Sequence, residues 1–113
     1  MRNISFQLTT EQVRNRTKTV TRRLGWKNLR AGELLQACEK CMGLGKGGKI
    51  NRLAVIRVVA VRREQLCQVL GDEAEPRREG FPNLTSAEFE EMFCKHMGCH
   101  YTDEVTRIEF EYV

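Results

Sequence analysis

Thr17-Lys18-Thr19-Val20-Thr21-Arg22-Arg23-Leu24-Gly25-Trp26, continued by Leu29-Arg30-Ala31-Gly32-Glu33-Leu34-Leu35, is the most informative stretch of this sequence. Threonine recurs at every second position from 17 to 21, and β-branched side chains favour extended backbone. Gly25 marks a turn, and Gly32-Glu33 steps into a further strand running to Cys38. From Arg14 to Arg30 the chain carries seven cations in seventeen residues, namely Arg14, Arg16, Lys18, Arg22, Arg23, Lys27 and Arg30. The segment from Glu88 to Glu91 and the tail with Glu109 and Glu111 are acidic instead. Positive charge gathered at one end of a sequence points to an anionic partner, of which phosphate is the commonest.

Upstream of this run, residues 3 to 8 alternate polar and apolar, which predicts a half-buried strand with Ile4, Phe6 and Leu8 on one face. Thr9 or Thr10 can cap a short helix ending near Arg16. Downstream, Gly43-Leu44-Gly45-Lys46-Gly47-Gly48-Lys49 has neither the glycine spacing nor the Lys-Ser/Thr pair of a phosphate-cradling loop, and it reads as a flexible connection. Leu53 to Val61 is rich in β-branched residues and apolar on both faces for part of its length, the pattern of a central strand. Residues 64 to 70 suit a helical turn, and Asp72 to Arg78, with Pro76, suits a polar connection. Thr85 and Glu88 form a capping-box pattern that opens a helix to about Met97, with Phe89, Phe93, His96 and Met97 on one face. The last strand runs from Val105 to Tyr112, Ile108, Phe110 and Tyr112 alternating with Arg107, Glu109 and Glu111.

Strands and helices do not alternate regularly, which argues against a doubly wound parallel sheet. The pattern predicts an α+β fold, a small barrel of mixed strands with flanking helices. The chain has 113 residues, 41% of them hydrophobic and 30% charged, which suits one folded domain spanning residues 1 to 113 and is unlike the low-hydrophobicity composition of disorder. No apolar run reaches the roughly 20 residues of a membrane helix, and the first residues lack the core of a signal peptide, so a cytoplasmic location is expected. Five cysteines suit reduced thiols. Cys38, Cys41, Cys94, Cys99, His96 and His100 invite a zinc reading, but the spacing is irregular and lacks a knuckle, and neither metal nor cofactor is expected.

The Lys18 to Arg23 run resembles the start of an ASCH domain, a small β-barrel family related to the RNA-binding PUA domains. The likeness continues through Gly32-Glu33, Arg78-Glu79-Gly80-Phe81 and the closing strand, and so covers nearly the whole chain. One departure stands out: Arg16 takes the place of a glycine common two residues before the motif lysine. Some bacterial ASCH proteins hydrolyse the amide of acetylated cytidine, and the resemblance implies Lys18 as their catalytic lysine, Thr21 as nucleophile and Glu79 as the acidic partner. Glu75 and Glu88 are the alternatives for the acid. It further implies a cleft for RNA or a modified nucleoside, contacted by Arg16, Thr19, Arg22, Arg23 and Trp26.

The chemistry is coherent. A threonine hydroxyl attacks only when a base removes its proton, and a lysine is that base only when neutral, a state favoured by desolvation and nearby cations. Geometry sets a condition: residues three apart on a regular strand face opposite ways, so Lys18 and Thr21 meet only if the segment bends. Competing readings are a solvated basic surface for the cations, plain strand propensity for the threonines, and packing for Trp26. A non-catalytic RNA-binding or protein-interaction module is therefore the alternative function, and a monomer or weak dimer is the expected state.

Overall fold

The computed structural model describes all residues from Met1 to Val113. Five strands form one sheet: β1 (Arg2–Ser5), β2 (Val20–Arg23), β3 (Leu34–Cys38), β4 (Arg52–Gln65) and β5 (Glu104–Tyr112), in the order β1-β3-β4-β5-β2. β1 runs parallel to β3, and the other pairs are antiparallel. The sheet is thus mixed, as the pattern predicted, with β4 at its centre. Three helices accompany it: α1 (Thr10–Arg14), α2 (Glu75–Arg78) and α3 (Ser86–Met97), with a 3-10 turn at Leu66–Val69.

The sheet curls without closing. The predicted barrel is a half-barrel, because β1 and β2, four residues each, remain as edges with no ladder between them. A side chain spans that gap instead: Arg23 Nη2 in β2 donates to Ser5 O in β1 at 2.6 Å.

Two apolar groups hold the layers together. Ile4, Phe6, Val13, Leu35, Ile56, Val58, Ile108 and Phe110 fill the curl between the sheet and α1. Leu66, Val69, Phe89, Phe93 and Val105 pack α3 against the 3-10 turn and the start of β5. Burial of a side chain such as Phe89 contributes about 1.5–3 kcal/mol, so the spacing of Phe89 and Phe93 one turn apart is what docks α3. The predicted capping box is present: Glu88 N donates to Thr85 Oγ1 at 3.1 Å, and Thr85 N donates to Glu88 Oε1 at 2.9 Å.

Several boundaries differ from the sequence pattern. β1 stops at Ser5, which leaves Leu8 exposed rather than in line with Ile4 and Phe6. β4 continues past Val61 to Gln65, since Arg62 to Gln65 find ladder partners in Glu104 to Arg107, with a register shift between Val58 and Ala60. Asp72 to Arg78 is no plain connection: it contains α2, with Pro76 in the first turn, where its missing N–H costs nothing. α1 ends at Arg14, and Arg16 follows with φ 62, a conformation that suits the family's glycine better than an arginine.

Candidate functional site

Lys18, Thr21, Arg22, Arg23 and Glu79 line one cavity of about 220 Å³ between the β1 and β2 edges and α3. The bend that the chemistry required begins at Arg16. Beyond it the backbone N–H groups of Thr17 and Lys18 both donate to Gln12 O, at 3.0 and 3.2 Å, so Lys18 stands on a turn and not on a strand. β2 starts at Val20, and because it is an edge strand, residues of both its faces border the space beyond it. Tyr112 fixes the turn from the other side, its hydroxyl donating to Lys18 O at 2.6 Å.

Glu79 reaches this point by a different route. Gly80 follows it with φ 97, and a Cβ there would lie 3.1 Å from Gln12 Cγ and 3.6 Å from Lys18 Cβ, so only glycine lets the end of α2 come so close to α1. Gln12 Nε2 donates to Gly80 O at 3.1 Å and holds the approach. Lys18 Nζ then donates to Glu79 O at 2.6 Å and to Glu79 Oε1 at 3.1 Å.

Around this pair lies a network of buried charge. Arg22 Nη1 donates to Glu79 Oε2 at 2.8 Å, and Arg22 Nη2 donates to Glu75 Oε1 at 2.7 Å. Arg107 donates to both oxygens of Glu75, at 2.6 and 3.2 Å, and Arg78 adds a contact at 2.9 Å. Glu64 sits 3.9 Å from Arg22 and pairs with Arg62 at 2.6 Å. Lys18, Arg22, Arg107, Glu64, Glu75 and Glu79 are all at most 7% exposed. Three positive and three negative groups therefore balance inside the protein. Part of the basic run is internal, paired structure: Lys18 and Arg22 are buried, whereas Arg14, Arg16, Lys27 and Arg30 are exposed, Arg14 pairing with Glu11 at 2.6 Å.

Burial pushes the Lys18 ammonium below its ordinary range; Glu79 works against this, and Arg23 and Arg22 add to it. Both hydrogen bonds of Lys18 Nζ go to Glu79, which favours the charged form and opposes the effect of burial. Burial would raise Glu75, but hydrogen bonds from Arg107, Arg78 and Arg22 together hold it well below the usual carboxylate range. Glu75 is thus a fixed anion that anchors arginines, and Glu88 caps α3, so Glu79 alone of the three candidate acids faces the cavity.

Thr21 Oγ1 accepts from Arg23 Nε at 3.1 Å, which leaves its own proton free to be donated. No hydrogen bond joins it to Lys18, whose Nζ donates to Glu79 alone. Phe6, Phe81, Phe89, Met92 and Phe93 supply the apolar wall, with the Arg23 guanidinium 4.9 Å from the Phe6 ring centroid. His96 and Met97, expected on the packed face of α3, are exposed and stand on the cavity's lining.

Three sequence candidates lie elsewhere. Arg16 is exposed, 5.5 Å from the Tyr112 ring centroid. Thr19 is a backbone link, donating to Arg78 O at 2.8 Å and accepting from Phe110 N at 2.9 Å. Trp26 packs partly against the first apolar group, outside the cavity. The cysteines are free, and no group of three or more His, Cys, Asp or Glu is arranged to hold a metal ion. Cys38 ends β3, buried, its thiol pushed up to about 11 by burial and by Cys41. No helix is long and apolar enough to cross a membrane.

Tyr112, Arg107 and Glu64 were not singled out from the sequence. Their partners lie 94, 32 and about 42 residues away along the chain, and no local pattern marks such pairs.

An ASCH domain from Lactobacillus crispatus superposes on 97% of this chain and 77% of its own with a TM-score of 0.66, at 16% identity. The fold is that of an ASCH domain. A hypothetical protein, PH0355, superposes on 98% of this chain and 95% of its own, with a TM-score of 0.63 and 15% identity. A protein from Enterococcus faecalis matches 92% of this chain and 66% of its own, with a TM-score of 0.60 and 21% identity. No family model matches the sequence, and no curated protein matches it.

Proposed function

We propose that this ASCH-fold protein binds a single modified nucleoside and hydrolyses its amide, with N-acylated cytidine as the substrate. The observation that carries the reading is the buried Lys18–Glu79 pair on the wall of a cavity that Thr21 also lines. At about 220 Å³ the cavity is smaller than the roughly 300–1,000 Å³ of sites for drug-sized ligands, which favours one base over a folded strand. Its aromatic wall suits a flat ring.

Neutral Lys18 takes the proton of Thr21, and the alkoxide oxygen adds to the acyl carbonyl. The tetrahedral adduct collapses as the C–N bond breaks, and the leaving amine takes a proton relayed from Lys18 through Glu79. Water then cleaves the acyl ester on Thr21 by the same route in reverse, releasing the carboxylic acid. Arg22 holds Glu79 in place throughout, and Tyr112 holds the backbone of Lys18.

Acetylcytidine incubated with the protein should yield cytidine, and Lys18→Ala, Thr21→Ala and Glu79→Gln should each lower the rate by about 10²–10⁴-fold. Because the base must be neutral, the rate should climb with pH and level off below the ordinary lysine value of about 10.4. Wild-type protein that binds the nucleoside without releasing cytidine above background would refute the hydrolase and leave a binding module.

A further inference from the structure

Next to the cavity lies a shallow depression lined by Arg2, Arg23, Leu24, Gly25, Trp26 and Met97, and the two share Arg23 and Met97. We infer that this depression receives the phosphate of the nucleoside bound in the cavity, so that the ligand is a nucleotide rather than a free nucleoside. The inference rests on the nucleoside reading above and extends it.

Arg23 stands between the two spaces. Its Nε and Nη2 are held by Thr21 Oγ1 and Ser5 O, which fixes the guanidinium plane and leaves its remaining N–H groups free of any partner. Arg2 is similarly oriented: Nε and Nη2 both donate to Glu33 Oε2, at 2.9 and 2.7 Å, and Nη1 has no partner. Two pre-oriented guanidinium groups on one depression offer forked donors to a phosphate, the geometry for which arginine is suited. The Arg2 guanidinium also lies 4.9 Å from the Trp26 ring centroid, which stiffens both side chains.

Trp26 adds an independent sign. It has φ 61, a conformation that costs a bulky residue about 1–2 kcal/mol, and its neighbour Gly25 could have taken that conformation without strain. The indole ring is half-buried, one side against the first apolar group and Arg2 over its face. It offers a flat apolar flank on which a ribose or an adjoining base can rest.

Trp26 is the only tryptophan, so its fluorescence reports on the depression alone. Acetylcytidine, its 5′-monophosphate and a trinucleotide with acetylcytidine at its centre are titrated at low and at high salt, with fluorescence for the depression and cytidine release for the cavity. The nucleotide should bind about tenfold more tightly than the nucleoside at low salt, quench Trp26, and lose that advantage as salt rises. If the trinucleotide alone gains, the phosphate belongs to a strand; if the monophosphate gains equally, it belongs to a free nucleotide. Either gain supports the inference. Arg2→Gln should reduce the nucleotide-to-nucleoside affinity ratio, and Arg2→Lys, which keeps the charge, should retain part of it; a merely structural role predicts an unchanged ratio. Equal affinities of nucleoside, nucleotide and trinucleotide, with acetylcytidine still bound or hydrolysed, would overturn this inference alone. Failure of all three to bind would overturn it together with the nucleoside reading.

Discussion

Glu75 accepts four N–H groups from three arginines, and replacing it with Gln tests how the site is held. The variant keeps the side chain's shape but turns an NH₂ group toward guanidinium groups, and it leaves Arg22 buried with Glu79 and Glu64, and Arg107 with Glu109 at 3.6 Å. Summing four charge-assisted hydrogen bonds at about 1.5–3 kcal/mol each would approach the whole stability of a domain, about 5–15 kcal/mol, and therefore overstates the loss. The better guide is removal of one partner from a buried ion pair, about 3–5 kcal/mol. With a urea slope near about 1.5 kcal/mol per M, the unfolding midpoint at pH 7 should fall by about 2 M or more. The sign with pH follows from the depressed value. Unfolded, Glu75 takes up its proton near about pH 4.3, and folded only at lower pH, so its contribution is full above that point and is lost as pH falls further. The gap between wild type and Glu75→Gln should therefore narrow below about pH 4. Adding Arg107→Met should recover part of the loss by removing a buried cation left with only its longer contact to Glu109, at 3.6 Å. A midpoint shift equivalent to less than about 1 kcal/mol at pH 7, or a gap that widens in acid, would refute the anchoring role.

Gly80→Ala should cost about 1–3 kcal/mol by thermal unfolding, because it combines φ 97 with a Cβ 3.1 Å from Gln12 Cγ, and it should also slow any turnover by displacing Glu79 from Lys18; an unchanged melting temperature would contradict the close approach. Tyr112 is pushed up to about 12 by burial, so the wild type should lose stability between about pH 10, where the unfolded phenol ionises, and pH 12. Tyr112→Phe should lose about 1 kcal/mol at neutral pH with the bond to Lys18 O, and show a flatter alkaline slope; identical slopes would refute it.

The features legible in the sequence are those written in short-range patterns. Thr85 and Glu88 announced the start of α3, the β-branched run announced β4 as central, and Ile108 and Phe110 marked the inner face of β5. Lys18, Thr21 and Glu79 line one cavity, though composition and spacing alone could not have joined residues 61 positions apart. What the patterns concealed were charges turned inward. Arg107 alternates with Ile108 like a solvent-facing residue, and Glu75 sits in a polar run, yet each is buried because the other is there. Arg16 shows the converse. Its left-handed backbone could not be read from an arginine, and the turn persists because Gln12 O gathers the following two amide groups.

The open seam of the sheet has a consequence for how the protein meets other copies of itself. A half-barrel exposes two strand margins, and free margins are templates on which a foreign strand can grow. Here each margin is only four residues long, and the acceptor at the end of β1, Ser5 O, is already occupied by Arg23. A cation laid across the seam makes intrusion costly, since an incoming strand would have to displace it and face its charge. The residue that guards the edge also lines both the cavity and the depression beside it, so loss of Arg23 would expose the protein to self-association and strip one guanidinium from both spaces at once.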